Sequence, residues 1–254
     1  MKYMGGKYML KKHISNTMKE LVKPDEVDGY LEPFCGACSV LAIMNELYNC
    51  SASDYHPDLI ELWKAVQDDS FIPPTDMTEE MYNNIKTLSS PSALKAFVGF
   101  GCSFGGKYFS GYADKYKNDK NENYLREAIN SIRKKKDKLN GIDFKCCQYD
   151  TWTPSNLLIY CDPPYQTTKY PIKYRTDVKD YDVFDNNKFW DVMRKWSTNN
   201  YVFISETTAP HDFVKVWSKS THRSASQSVK TRYKNSSDTF IEESLYVHES
   251  FTKK

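Results

Sequence analysis

An apolar run that ends in an acidic, proline-rich turn constrains this chain more than any other feature. Residues 157–160 are Leu-Leu-Ile-Tyr, and Cys161-Asp162-Pro163-Pro164-Tyr165 follow them directly. A short apolar run that stops at a turn signal is typical of a strand buried inside a sheet. Such a strand would carry Asp162 and Tyr165 to the edge of the sheet. A strand that merely ends in a proline turn has the same pattern.

A second strand with a small-residue turn lies near the N-terminus. Gly29-Tyr30-Leu31-Glu32 predicts a strand, and Val40 to Tyr48 has helical spacing. The turn between them is Pro33-Phe34-Cys35-Gly36-Ala37-Cys38-Ser39. Its small residues would let the backbone approach a ligand, at which the next helix would point its unsatisfied amides. We therefore predict a ligand-binding loop, with a plain strand-to-helix connection as the alternative.

A third segment pairs a strand with an acid. Cys50 to Ser53 predicts a strand that ends in Asp54, and residues 57–66 have helical periodicity. In a nucleotide-binding fold, an acid at the tip of the second strand binds ribose hydroxyls. Asp54 could instead cap the helix that begins near Pro57.

Five segments together resemble the Dam-like DNA adenine methyltransferases, a family with viral and phage members. They are Lys2 to Tyr8, Tyr30 to Phe34, Ser53 to Tyr55, Phe100 to Phe109 and Asp162 to Tyr165. The resemblance runs from Tyr3 to about Val247. It departs from the family at two points: Tyr3 stands where tryptophan is frequent, and Cys38 replaces the second glycine of the usual Phe-x-Gly-x-Gly pattern.

The resemblance implies S-adenosyl-L-methionine (AdoMet) as methyl donor, with S-adenosyl-L-homocysteine as product. It implies that Tyr3 and Lys7 contact AdoMet. Residues 148–150 leave the predicted strand 143–147 and would lie near the adenine of AdoMet, although the sequence does not say which of them touches it. The expected cofactor residues are Tyr3, Lys7, Glu32, Pro33, Phe34, Gly36, Ala37, Cys38, Ser39, Asp54, Tyr55, Gln148, Tyr149 and Asp162.

Asp162-Pro163-Pro164-Tyr165 resembles the catalytic motif of AdoMet-dependent amino-methyltransferases. An exocyclic base amine is a poor nucleophile because its lone pair is delocalised into the ring. A carboxylate and a main-chain carbonyl held by rigid prolines can accept both amine hydrogens and weaken that conjugation. Tyr165 offers a face on which a flipped base can stack. We expect these four residues to be catalytic.

The predicted architecture is an α/β fold with a Rossmann-like AdoMet-dependent methyltransferase sheet, covered by helices on both faces. Predicted strands lie near 29–32, 50–53, 143–147, 157–161, 200–205, 222–229 and 240–247, and predicted helices near 13–21, 39–48, 57–67 and 185–197. Ligands bind at the carboxyl edge of such sheets.

Phe34 and Asp162 are 128 positions apart, which exceeds two β–α units by about 60 residues. We therefore expect residues 1–69 and 141–254 to form the catalytic domain, with 70–140 as an inserted, mostly helical target-recognition domain. In the insert, residues 99–111 predict a glycine-rich loop and Tyr124 to Leu139 a basic helix.

Local basic patches predict double-stranded DNA as partner. Residues 95–138 hold 11 Lys and Arg against five Asp and Glu, and residues 215–234 hold six Lys and Arg without any acid. Such excesses suit phosphate contacts. A solvated helix face at 133–136 and the solvent side of an edge strand near 224–229 are the alternatives. Residues 166–180 would form a lid over the flipped base. The DNA-binding candidates are Lys107, Tyr108, Lys134, Lys169, Arg175, Lys230 and Arg232.

Composition bounds the remaining classes. A net charge of +2 excludes a simple polybasic protein, so DNA binding must come from local patches. The seven scattered cysteines indicate a reducing compartment, and we expect a cytoplasmic protein without signal peptide or membrane span. Cys35-x-x-Cys38 lacks a second pair or nearby histidines, which argues against zinc. The chain is expected to be a monomer or weak dimer.

These observations together predict site-specific methylation of adenine N6 in DNA by base flipping, as in restriction-modification systems. Two alternatives stay open. One is an RNA or protein-glutamine methyltransferase of the same fold, although the protein-glutamine enzymes carry Asn in place of Asp162. The other is an inactive DNA-binding relative.

Overall fold

One mixed sheet organises the computed structural model, which describes residues 1–113, 123–165, 184–222 and 240–253. Within these ranges the strand order is β3-β2-β1-β4-β5-β7-β6. β1 to β5 are parallel, while β7 runs antiparallel to both β5 and β6. The predicted Rossmann-like methyltransferase sheet is confirmed. Its strands are β1 (Gly29–Glu32), β2 (Cys50–Asp54), β3 (Asp143–Cys146), β4 (Leu157–Cys161), β5 (Tyr201–Glu206), β6 (Phe213–His222) and β7 (Phe240–His248).

Helices cover the sheet, and most begin at side chains that satisfy free backbone amides. Thr78, Ser92, Asn123 and Asp185 each cap a helix by accepting a hydrogen bond from the amide three residues on. The helices are α1 (Lys11–Leu21), α2 (Leu41–Met44), α3 (Pro57–Gln67), α4 (Glu79–Lys86), α5 (Ala93–Gly101), α6 (Tyr124–Lys136) and α7 (Asn186–Trp196).

Alternate strand residues point to opposite faces of the sheet, and each face has its own apolar cluster. On one face, Ile159 of β4 packs with Phe189 and Met193 of α7. On the other, Leu158 and Tyr160 of β4 belong to a larger cluster fed by α1, α2, α3, α5 and α6. Full burial of one such side chain contributes about 1.5–3 kcal/mol, so the two clusters fix the sheet between its helices.

The helices of the predicted insert share the larger cluster. Phe97 of α5 and Ile132 of α6 are buried in it beside Leu59 and Trp63 of α3. In the described part of this segment, α4, α5 and α6 are its main elements, as expected for a mostly helical insert. The division into a catalytic and a recognition domain stays a prediction.

Two elements differ from those predicted. The helix expected over 39–48 has regular α-geometry only at Leu41–Met44, because i to i+3 hydrogen bonds at Ile43 and Leu47 tighten its ends. β6 (Phe213–His222) lies before the strand expected over 222–229 and was not predicted. Residues 223–229 lie outside the described ranges, so the strand expected there stays a prediction. A bulge between Lys215 and Trp217 shifts the register, which hides the alternation of β6 from sequence reasoning.

The glycine-rich loop predicted over 99–111 is wrong at its start. Gly99 and Gly101 lie within α5. A Cβ atom on Gly99 would come within 2.6 Å of the rings of Tyr108 and Phe109. This glycine therefore permits close packing of the chain that returns past the helix, and the loop begins only after α5.

The cysteines and the hydropathy of the helices add two observations. All seven cysteines are free thiols. No helix in the described ranges is long and apolar enough to cross a membrane.

Candidate active site

The strand order brings three predicted segments to one edge of the sheet. β1 pairs with both β2 and β4 in parallel, so the residues that follow these three strands emerge side by side. They are the turn 33–39, the acid Asp54 and the motif 162–165. The N-terminal segment joins them through Lys7.

Lys7 and Asp162 form an ion pair at the centre of this edge. The Nζ of Lys7 lies 2.9 Å from Oδ1 of Asp162, and the two side chains are 6% and 20% exposed. Burial raises the pKa of Asp162 above its usual value, although the neighbouring Lys7 opposes this shift. For Lys7, burial works to lower the pKa, but the nearby carboxylates Asp162 and Glu243 outweigh it and leave the pKa raised. Lys7 is thus held as an ammonium beside a carboxylate.

Tyr165 is fixed above this pair by a residue from β7. Its hydroxyl donates a hydrogen bond of 2.6 Å to Oε2 of Glu243. The same Oε2 lies 3.8 Å from the Nζ of Lys7, which is itself 4.6 Å from the centre of the Tyr165 ring. Asp162, Tyr165, Lys7 and Glu243 therefore form one contiguous cluster.

The turn 33–39 is tied to its neighbours through Gly36. The Gly36 amide donates to Oδ2 of Asp54 at 3.0 Å, and its carbonyl accepts from Nε1 of Trp63 at 2.8 Å. Its φ is +45°, and a Cβ atom here would lie 3.1 Å from the ring of Tyr3. Only glycine meets both demands without strain. Tyr3 thus forms one wall of the turn, with its ring 5.0 Å from that of Phe100.

Asp54 holds two backbone amides and does not cap α3. Its Oδ1 accepts at 2.9 Å from the amide of His56, which is itself the N-cap residue of α3, and no side chain among the described residues caps that helix. The Oδ2 of Asp54 holds the Gly36 amide. Burial raises the pKa of Asp54, while the backbone amides of His56 and Gly36 work to lower it. Each oxygen has two lone pairs, so these bonds leave room for a ribose hydroxyl.

Cys38 has a positive φ of +52°, which explains the glycine of the usual pattern. Non-glycine residues rarely adopt the left-handed region. Cys38 nevertheless adopts this conformation, and its side chain is fully buried in the larger apolar cluster.

Lys135 of α6 reaches the same turn from the insert. It is buried and donates a hydrogen bond to the carbonyl oxygen of Ala37, with its Nζ 5.1 Å from the centre of the Trp63 ring. Burial lowers its pKa to about 8. The insert and the turn are therefore joined directly.

The residues that follow β3 have different contacts. Tyr149 stacks on Phe34 with ring centres 5.1 Å apart, and burial raises its pKa to about 12. Asp150 forms an ion pair with Lys188 at 2.5 Å. The contact of Gln148 or Tyr149 with the adenine of AdoMet stays a prediction.

The DNA-binding candidates differ in exposure. Lys107 and Lys134 are exposed. Tyr108 is half-buried and its hydroxyl donates to Oδ2 of Asp58 at 2.5 Å, so it braces the loop after α5 against α3. The other four candidates, Lys169, Arg175, Lys230 and Arg232, lie outside the described residues.

Sequence reasoning missed Glu243 and Lys135, although both left a signal. Glu242 and Glu243 are adjacent in β7, and the two-residue period of a strand turns one of two neighbours inward. Lys135 continues the helical stripe of Ala128 and Ile132 on the buried face of α6. A charged residue on an apolar stripe indicates a specific partner.

This fold and site define an α/β methyltransferase with an acidic proline motif beside a glycine turn. The family model described as D12 class N6 adenine-specific DNA methyltransferase matches residues 3–99 and 102–237. The chain belongs to this family and is an adenine-specific DNA methyltransferase, which confirms the resemblance seen in its motifs. Family and fold imply AdoMet as methyl donor in general.

Two further comparisons add less. No curated protein matches the chain significantly. A solved structure, the rRNA methyltransferase aviRa from Streptomyces viridochromogenes, is similar at 9% identity and a TM-score of 0.43, over 99% of this chain and 88% of that chain.

Proposed function

We propose that this chain transfers a methyl group from AdoMet to N6 of adenine in double-stranded DNA, and that the target base leaves the duplex to reach the carboxyl edge of the sheet. The contact that carries the proposal is the 2.9 Å pair of Lys7 and Asp162. It joins the N-terminal segment, expected to bind AdoMet, to the motif expected to bind the target amine.

The residues of the turn fit AdoMet. Gly36 packs against the Tyr3 ring and its amide is bonded to Asp54, so the turn has a fixed shape against which a ligand can bind. Tyr3 supplies an aromatic wall, and the Asp54 carboxylate can accept from ribose hydroxyls. When bound, AdoMet supplies a methyl sulfonium whose C–S bond breaks with both electrons remaining on sulfur.

The protein's part in the reaction is to make the adenine amine nucleophilic. Asp162 accepts a hydrogen bond from N6, and the main-chain carbonyl held by Pro163 and Pro164 accepts the second. The N6 lone pair then forms the N–C bond and N6 loses one proton to water. Tyr165 stacks on the base and holds it in place.

Flipping is required because a duplex buries the N6 lone pair in base stacking and pairing. Exposed Lys107 and Lys134 are proposed to contact DNA, together with Lys169, Arg175, Lys230 and Arg232.

The test is methyl transfer from radiolabelled AdoMet to duplex DNA, followed by digestion to nucleosides and identification of the methylated base. We expect N6-methyladenine. Asp162→Ala should slow the reaction about a hundred- to thousandfold, which is typical for loss of one such acceptor. Label in RNA or protein alone would support the other methyltransferases of this fold, and no label at all would support an inactive DNA-binding relative.

A further inference from the structure

Glu243 lies in the candidate active site, although it comes from a strand distant in sequence. β7 is antiparallel to β5 and pairs Ser244 with Glu206, the last residue of β5. This register brings the start of β7 to the edge at which β4 and β5 end. The Glu243 side chain is 18% exposed there, while its neighbour Glu242 is exposed and pairs with Lys215 at 2.8 Å.

The first contact of Glu243 fixes the Tyr165 ring. A phenol that donates to a carboxylate at 2.6 Å makes a charge-assisted hydrogen bond, stronger than one between neutral groups. With the hydroxyl held at one end and the backbone after the rigid Pro164 at the other, the ring loses freedom to rotate. A base can then stack on a surface that is already oriented.

The second contact of Glu243 concerns the charge on Lys7. The ammonium lies between two carboxylates, 2.9 Å from Asp162 and 3.8 Å from Glu243. Lys7 also donates to the Gly5 carbonyl at 3.2 Å and feels the more distant charge of Glu206. If Glu243 were absent, the ammonium would interact more strongly with Asp162 and withdraw more electron density from the group that must accept from the amine. Two carboxylates around one ammonium also leave net negative charge where N6 becomes positive during transfer.

We propose that Glu243 is a positioning residue for methyl transfer, which orients the ring of Tyr165 through its hydroxyl and balances Lys7 so that Asp162 remains a strong acceptor. The inference rests on the proposed function, because it assigns Tyr165 to the base and Asp162 to its amine. It adds a residue outside both motifs.

The experiment measures kcat, KM for DNA, the AdoMet dissociation constant and the melting temperature for a set of variants. Glu243→Ala removes both contacts, and we expect kcat to fall about tenfold with AdoMet affinity within about twofold of wild type. Glu243→Gln keeps an acceptor for Tyr165 but loses the charge. Its kcat should therefore lie between that of the wild type and that of Glu243→Ala. Glu242→Gln is the matched control, since it removes a charge from the adjacent, outward-facing position.

A double-mutant cycle separates this role from a structural one. Tyr165→Phe removes the hydroxyl, which contacts both Glu243 and Asp162. Because Glu243→Ala has already broken one of these contacts, the losses in kcat should be less than multiplicative in the double variant. In addition, Glu243 raises the pKa of Asp162, which also faces Lys7, Tyr165 and Glu32. Glu243→Ala should therefore move the acid limb of the kcat profile to lower pH.

Three results would overturn the inference: wild-type kcat in Glu243→Ala, multiplicative losses in the double variant, or a fall in kcat matched by equal losses in Glu242→Gln. The wild-type protein is assayed first. If it does not methylate adenine in DNA, the proposed function fails. If it does and Glu243→Ala is unaffected, only the role of Glu243 fails.

Discussion

In the proposed mechanism, the protonation state of the Asp162 carboxyl group decides whether the site can activate an amine. Its pKa is raised because burial disfavours the charged form, and Lys7 works against that shift. Only the carboxylate accepts both from Lys7 and from the amine. As pH falls through the raised pKa, kcat should therefore fall at a pH above that expected for an ordinary aspartate.

Lys7→Met tests the effect of Lys7 on the pKa of Asp162. Removing the ammonium takes away the main opposition to burial and leaves, among the described residues, only the hydrogen bond from Tyr165. The pKa of Asp162 should therefore rise, and the acid limb of kcat should move to higher pH. The measurement is a pH profile at saturating AdoMet, because Lys7 is also expected to bind the cofactor. An acid limb that stays in place would show that another group controls it.

Cys38 stores backbone strain in the turn, which yields a prediction on stability. At its φ of +52°, a β-branched side chain is disfavoured far more than glycine. Cys38→Val should destabilise the protein by about 1–3 kcal/mol in urea unfolding. Cys38→Gly should be closer to neutral, since relief of strain offsets the loss of a small buried side chain. Equal losses in the two variants would mean that packing, and not the backbone, decides the residue at 38.

At the scale of single elements, α6 has two different faces at its basic end. Lys135 is buried against the turn, whereas the neighbouring Lys136 forms a surface ion pair with Asp69. The pKa of Lys135 is lowered to about 8, so below that pH the folded protein must keep a charge in an apolar setting. The unfolded chain holds this proton up to about pH 10.4, and stability should therefore rise with pH between the two values.

Lys135→Met tests this linkage. At pH 7 the variant should be more stable than wild type by up to about 3 kcal/mol, and the gain should shrink as pH rises from 8 towards 10. AdoMet binding should weaken about fivefold, because the Ala37 carbonyl loses its donor. Lys136→Met is the control and should change neither. Calorimetry of both variants gives the stability and the AdoMet affinity. A Lys135→Met protein that is less stable than wild type at pH 7 would contradict this prediction.

The elements that sequence could predict are those whose pattern is local. β1, β2, β4, α3 and α7 were predicted within about two residues, because each is an apolar run or helical stripe bounded by turn or capping residues. β6 is not predictable from local periodicity because its bulge breaks the two-residue period. Glu243 was missed because its position depends on which strand lies beside β5, and strand order is not written in local periodicity.

At the scale of the whole molecule, the predicted insert and the sheet share one apolar cluster. Phe97 and Ile132 pack with Leu59 and Trp63 of α3, so unfolding either part would expose the other. We therefore expect a single cooperative transition in urea, with circular dichroism and tryptophan fluorescence coinciding. Two separated transitions would indicate that residues 70–140 fold as a domain of their own.

If the target base reaches the carboxyl edge of the sheet, as proposed, DNA must approach the molecule at that edge. The net charge of +2 leaves the affinity for DNA to local basic patches. Lys134 is exposed near the basic end of α6, which suits a phosphate contact. Lys107 is exposed in the loop that follows α5. The adjacent Gly106 carbonyl accepts a hydrogen bond of 3.1 Å from the amide of Met4, so this loop lies close to the N-terminal part of the site. Lys134 should affect the affinity for all DNA sequences, whereas Lys107 should affect the discrimination between sequences.

These roles predict different results for two single variants. Lys134→Ala should weaken binding to every duplex alike and flatten the log–log salt dependence by about 0.9, the value for one phosphate. Lys107→Ala should change the ranking of single-base variants of the target site, where a mismatch costs about 1–3 kcal/mol. Lys195→Ala is the control, because that exposed lysine lies on α7 at the other face of the sheet. If Lys107→Ala slows methylation of all sites by one common factor, Lys107 is a second phosphate contact and base discrimination lies elsewhere.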